Sequence, residues 1–256
     1  GMRINDAISY PFQMTLGAIR EDTLIYEMGK TIANQCQRIG VNINFAPVAD
    51  INSNPVNPII GMRSFGENKA MVSDKAIAYM KGMKEQGILT TAKHFPGHGD
   101  TETDSHKTLP VITHDKERLD TVELYPFKRL IDEDVEGTMI AHLYIPDLER
   151  KENMAATLSA RIVDKLLRKK LGFEGLVVTD ALDMKGVTSY RKPGEIELLA
   201  LEAGNDILLL PEDVPSAIRT IKKALEAKKI KHSLVDERCR KVLRYKYNAG
   251  LYNQEP

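Results

Sequence analysis

The chain has 256 residues, 42% of them apolar, enough to bury one sizeable core. Lysine plus arginine equals aspartate plus glutamate at 36 each, and no basic run with interleaved aromatics occurs, which argues against a nucleic-acid surface. The longest apolar runs, at 176–178 and 207–210, fall far short of the roughly 20 residues a membrane-spanning helix needs, and two cysteines with no metal-ligand spacing cannot form a disulfide framework.

Taken in chain order, residues 1–19 read as an extended loop with no basic and apolar leader, and 21–39 as a helix. Short β-branched and apolar runs then recur at 41–48, 88–95, 137–145, 175–182 and 206–210. Between and after them, 69–86, 115–133, 159–171, 196–203 and 214–228 carry apolar residues three and four apart with charges opposite, the pattern of amphipathic helices covering a parallel sheet. The segment 235–247 reads as a basic amphipathic helix with a solvated face, and 248–256 as a linker remnant. No repeat of fixed length stands out.

Four of the five strands end in polar or Gly/Pro segments able to carry chemistry, at 50–63, 93–106, 142–146 and 179–184. Functional groups at the C-terminal ends of parallel strands predict an α/β fold of the TIM-type (β/α) barrel class, with an open doubly wound sheet as the alternative. A complete eightfold barrel takes about 250 residues, yet only five strands are legible. The expectation is a single barrel domain over 1–256 that lacks its first one or two β/α units.

The densest chemical signal is Lys93-His94-Phe95-Pro96-Gly97-His98-Gly99-Asp100-Thr101-Glu102-Thr103-Asp104-Ser105-His106, which follows a strand and holds three of the six histidines. Asp104 and His106 are two apart, so an extended backbone puts both on one side, where a carboxylate can fix an imidazole's tautomer. A metal site built on His94, His98, Asp104 and His106 is the rival reading. Phe95-Pro96-Gly97 forbids a regular helix between its first two histidines. A structural loop is the third reading. The second signal is an apolar strand delivering Asp180 at its C-terminal end. Alone, such an aspartate is more often a cap or turn former. Beside a separate proton donor it supplies the carboxylate that a retaining glycosidase requires. Asp183 and Asp206 read as structural, His114 and His232 as surface residues, and His142 as lining the floor of the pocket or packing beneath it.

The stretch 93–106 resembles the signature of family 3 glycoside hydrolases, in their bacterial N-acetylglucosaminidase branch. Further matches run in order through Phe45-Ala46-Pro47-Val48-Ala49-Asp50, Gly61-Met62-Arg63-Ser64-Phe65-Gly66, Met139-Ile140-Ala141-His142, and Thr179-Asp180 with Met184. The resemblance covers essentially the whole chain. It implies a retaining exo-β-N-acetylglucosaminidase acting on peptidoglycan or chitin-derived fragments without metal or organic cofactor. Asp180 would be the nucleophile and His106 the general acid and then base, oriented by Asp104. Arg63, Lys93 and His94 would bind the sugar, with Asp50 and His142 as further substrate-site candidates. It also implies a bacterial protein of the cytoplasm or periplasm, and two further strands plus an acidic sugar-binding segment before 14–18. Without them, the barrel edge would be open to a partner chain or to self-association, and this chain alone weakly active or inactive. The alternatives carried forward are a β-glucoside-specific member of the family, a metal-dependent hydrolase, and an inactive fragment that binds sugar or assembles with a partner. A histidine in the acid/base place repels an incoming anion less than a carboxylate does, so phosphorolysis stands beside hydrolysis.

Overall fold

The computed structural model describes residues 8–102 and 108–253. Its sheet has four parallel strands in the order of the sequence: β1 (Ile43–Asn44), β2 (Leu89–Phe95), β3 (Gly137–Ile140) and β4 (Leu176–Thr179). Each strand neighbours the next one in the chain. That is the winding of a (β/α) barrel, because a doubly wound sheet reverses its order at a switch point. The described residues form part of such a barrel, with the apolar strands β3 and β4 buried along their whole length.

The strand expected at 41–48 is cut to two residues, Pro47 having no N–H to give to the ladder. The contact with β2 nevertheless continues: Thr91 donates to the Ala46 carbonyl, Lys93 to Pro47, and Ala49 to Lys93. The strand expected at 206–210 lies beside β4 but reduces to one bridge, Val178 with Ile207. There Leu209 N–H bonds the Thr179 hydroxyl in place of a backbone carbonyl, and Leu210 turns to φ 46°. Among the described residues, β1 is paired on one side only.

Helices cover the sheet. Where 1–19 reads as extended, a short helix, α1 (Gln13–Gly17), forms and sets Gly17 against the Phe65 carbonyl, too close for any Cβ. The helices α2 (Asp22–Arg38) and α3 (Lys69–Glu85) cross through small residues: a Cβ on Gly29 would meet the Tyr79 carbonyl, and one on Gly82 the Tyr26 carbonyl. Asn68 caps α3 by accepting from the Ala70 and Met71 amides. The helix expected at 115–133 is broken into α4 (Lys116–Arg118), a π-helical turn at Leu119–Glu123 and α5 (Tyr125–Asp132). The one expected at 159–171 is a π-helix, Arg161–Lys170, burying Ile162, Val163, Leu166 and Leu167. After β4 come α6 (Lys185–Thr188), α7 (Glu195–Ala203), α8 (Val214–Glu226) and α9 (His232–Asn248).

The main core, from Leu16 and Ile25 through Phe65, Phe95 and Phe127 to Val177, lies between sheet and helices. By contrast α9 buries no residue. It is held through Arg238 and Lys241, which reach the buried Asp206 beside Arg168 at 3.3, 3.9 and 2.7 Å respectively. Asp206 is thus structural, as read. Cys36 is buried in α2 and Cys239 exposed on α9, both as free thiols. Among the described residues no helix is long and apolar enough to cross a membrane.

Candidate functional site

The end of β2 brings Lys93 and His94 to the C-terminal edge of the sheet, between the loop after β1, with Asp50 and Arg63, and Asp180 after β4. Asp104 and His106 lie outside the described residues.

Asp50 is the hub on one side. Its side chain is fully buried and both oxygens are occupied. Oδ1 accepts the His98 N–H at 2.7 Å, Oδ2 accepts His94 Nδ1–H at 2.7 Å, and the His94 N–H lies 3.1–3.2 Å from both. Burial pushes its carboxyl up, but the electrostatic pull and hydrogen bond of His94, with the His98 N–H, bring it below the ordinary range. The far ring nitrogen of His94 lies 3.3 Å from Arg63 Nη2. A guanidinium can only donate, so His94 carries its proton on Nδ1 and accepts from Arg63. Asp50 therefore fixes the His94 tautomer, and its own oxygens are consumed in doing so.

The turn after β2 is drawn tight. A Cβ on Gly99 would fall 1.6 Å from the Ile51 carbonyl, so only glycine lets this loop lie against the loop after β1. His98 is buried, with Nδ1 2.9 Å from Thr101 Oγ1, and Asn57 Nδ2 donates to the His98 carbonyl and to Thr101 Oγ1. Burial, then the proximity of His94, pushes the His98 imidazole down to about 4. His98 and His94, both drawn on by the metal reading, are thus turned to protein partners. Asp100, His114 and Glu123 do have metal-compatible spacing, within 4.8 Å of one another. Arg118 pairs with Glu123 at 3.1 Å and stands 3.9 Å from Asp100, which also binds His114, so a cation already serves that cluster. His114 is accordingly half-buried and hydrogen-bonded to Asp100, where the sequence reads a surface segment, whereas His232 and Asp183 are exposed.

Across the site, Asp180 stands half-buried at the end of β4. Its Oδ1 accepts the N–H of Ala181 at 2.9 Å, and among the described residues Oδ2 takes no hydrogen bond. Burial pushes this carboxyl up, yet His94, His142, the Ala181 N–H and Lys93 together draw it below the ordinary value. Lys93 responds in the opposite sense. Burial and the neighbouring Arg63 bring its ammonium down to about 8 against the pull of Asp180 and Asp50. His142 is fully buried, one ring nitrogen 2.8 Å from Thr157 Oγ1 and the other 2.8 Å from the Ala181 carbonyl.

Arg63 and Lys93 also border a cavity of about 800 Å³ that runs along the unpaired side of β1, past Phe45, Tyr79, Met28 and Ile32 to Tyr10 and Phe12. The Thr157 and Ala181 partners of His142, and the Asn57–Thr101 brace under His98, were not legible as site residues. Asn57, before Pro58, reads as an ordinary turn former, and the others carry no local pattern.

The sequence profile described as "Glycosyl hydrolase family 3 N terminal domain" matches residues 1–245. Beta-hexosaminidase A of Pseudoalteromonas piscicida is 39% identical over 224 residues, which are 82% of this chain and 38% of that protein. Beta-hexosaminidase of Methylobacillus flagellatus is 31% identical over 210 residues, 81% of this chain and 59% of its own length. A solved glycoside hydrolase family 3 beta-N-acetylglucosaminidase from Paenibacillus sp. str. FPU-7 superposes with a TM-score of 0.94 at 36% identity, covering 99% of this chain and 49% of that one. Beta-glucoside phosphorylase BglX superposes with a TM-score of 0.94 at 26% identity, covering 98% of this chain and 46% of that one. The chain therefore spans between about two fifths and three fifths of these proteins.

Proposed function

The chain belongs to glycosyl hydrolase family 3, and from that premise we propose that it provides the catalytic barrel of a retaining exo-β-N-acetylglucosaminidase. The observation that carries the reading is Asp180. It is a strand-end carboxylate with one oxygen bonded and the other unoccupied among the described residues, held ionised beside Lys93 and His94. Such a group can attack an anomeric carbon. Asp180 Oδ2 forms the glycosyl ester as the bond to the leaving oxygen breaks, and His106, oriented by Asp104, gives that oxygen its proton. His106 then takes a proton from water as the water cleaves the ester, so configuration is retained through two inversions. Lys93, Arg63 and the Nε2 edge of His94 form a polar cluster suited to sugar hydroxyls, with Asp50 holding His94 in register. The names of the beta-hexosaminidase relatives favour a terminal N-acetylhexosamine as substrate. The side of β1 that is unpaired among the described residues offers a parallel edge that a further strand or a second copy of the chain can close.

The test is nitrophenol release from nitrophenyl β-N-acetylglucosaminide, with Asp180→Ala as control. Turnover that falls on the order of 10³-fold or more in the variant supports the assignment, and equal turnover in both sinks it. Adding inorganic phosphate separates the two acceptors: a sugar 1-phosphate product would replace hydrolysis by phosphorolysis.

A further inference from the structure

The turn that carries Asp180 is held from below by a buried imidazole. The peptide joining Ala181 and Leu182 is fixed on both sides: its carbonyl receives His142 Nε2 at 2.8 Å, and its N–H donates to the Leu209 carbonyl at 2.9 Å. The preceding peptide sends the Ala181 N–H to Asp180 Oδ1 at 2.9 Å, and Asp180 N–H is itself anchored on the Ile140 carbonyl at 3.0 Å. A carbonyl can only accept, so the proton between His142 and Ala181 belongs to Nε2.

On the other side of the ring, Thr157 Oγ1 lies 2.8 Å from His142 Nδ1 and 2.8 Å from the Ala141 carbonyl. Its single hydroxyl proton can turn to either. With a neutral ring it is given to Nδ1; with a cationic ring Nδ1 donates to Oγ1 and the hydroxyl turns to Ala141. The Nε2–H bond to Ala181 is therefore the same in both charge states. Thr157 is itself seated, because Asn205 donates to its backbone carbonyl at 2.9 Å.

We propose that His142 is a positioning residue: acting through Ala181, it aims the Ala181 N–H at Asp180 Oδ1 and leaves Oδ2 turned to the substrate. The inference rests on the reading of Asp180 as nucleophile, and it replaces direct substrate contact by His142, whose ring has no free nitrogen and no exposed surface. Titratable groups facing Asp180 from the neighbouring elements are Lys93 and His94 at the end of β2 and His142 after β3; Asp183 bears on His142 from the same turn, and His98 also feels Asp180.

The test is the titration of the Asp180 side-chain carboxyl by ¹³C NMR in the parent chain, His142→Leu and His142→Gln, with kcat and KM measured alongside. Leucine removes the donor at similar volume, whereas the glutamine amide can still reach the Ala181 carbonyl. In His142→Leu the Asp180 midpoint rises by about one pH unit, the order expected for losing one charge-assisted hydrogen bond. Correspondingly kcat falls about tenfold with KM held, and glutamine restores most of both. Thr157→Val, which is isosteric, takes the place of the leucine variant if that one does not fold, and shifts the midpoint in the same direction. An Asp180 midpoint unchanged in a folded His142→Leu overturns the proposal, as does a rise in KM with kcat kept. Absence of turnover in the parent chain counts against the glycosidase reading alone, because the carboxyl titration still decides the role of His142.

Discussion

Replacing Asp50 by asparagine tests how the site is wired, because the change is nearly isosteric and turns one accepting oxygen into a donating NH₂ group. Asparagine Oδ1 can keep the His98 and His94 amides, but its Nδ2–H₂ then faces His94 Nδ1 at 2.7 Å, where the carboxylate now accepts. Two donors cannot share that contact. His94 must move its proton to Nε2, which places a second donor 3.3 Å from Arg63 Nη2 and pushes the guanidinium away. The loss is one short charge-assisted hydrogen bond, about 1.5–3 kcal/mol, and the longer contact from the Arg63 guanidinium at 3.3 Å, about 0.5–1.5 kcal/mol. At about 1.4 kcal/mol per decade, a total of about 2–4.5 kcal/mol lowers kcat/KM by about 30- to 10³-fold. The assay is nitrophenyl β-N-acetylglucosaminide hydrolysis, read beside ¹⁵N NMR of the His94 ring, which reports the tautomer whether or not the chain turns over. Activity within threefold of the parent, or a His94 that still carries its proton on Nδ1, would refute the wiring.

Three other outcomes follow from the same structure. Lys93, with its ammonium brought down to about 8, is charged below that pH and neutral above it; binding of N-acetylglucosamine, followed by calorimetry, should therefore weaken as pH climbs through about 8, and Lys93→Met should bind weakly with no such step. For His98 the folded value is about 4 against an ordinary 6.5, so the unfolded chain takes the proton first and stability falls as pH drops from 6.5 toward 4. The loss is on the order of 3 kcal/mol, and urea unfolding at pH 7 and pH 4.5 should show a smaller difference in His98→Gln. Asp206→Ala strands Arg168 and Arg238 around an empty buried position and frees the Val177 amide; unfolding free energy should drop by about 3–5 kcal/mol, with hydrogen exchange rising first along α9, which has no buried side chain to hold it.

Strand and helix alternation was legible because β3 and β4 are short runs buried along their whole length and β2, though it carries Thr90, Thr91, Lys93 and His94, is buried over most of its length, as a covered parallel sheet requires. What the pattern missed has local causes. Pro47 interrupts the β1 ladder, and Thr179 Oγ1 takes a backbone position beside β4. The π-helical turns keep the apolar spacing while changing the hydrogen-bond period, so hydrophobic periodicity cannot reveal them. At the site, the motifs pointed to Arg63, Lys93, His94 and Asp180. The convergence of Asp50 on His94 and His98 depends on contacts 44 and 48 residues apart, and the clamp from His142 to Ala181 spans 39. No spacing rule reaches that far.

The three aspartates also show why residue type alone could not sort the roles. Asp50 and Asp180 follow β1 and β4, whereas Asp206 opens the segment that runs beside β4. Asp206 is neutralised by two guanidiniums and a backbone amide with no exposed side-chain surface, so it can only hold structure. Asp50 has both oxygens engaged by donors from β2 and the turn after it, and its side chain has no exposed surface, so it serves to orient His94. Asp180 alone has one oxygen bonded and the other open among the described residues, with Lys93 and the Ala181 N–H among the groups that favour its ionised form. A nucleophile needs that combination of charge and an unoccupied lone pair. The number of donors around each carboxylate, rather than its place at a strand end, therefore separates the attacking group from its supports.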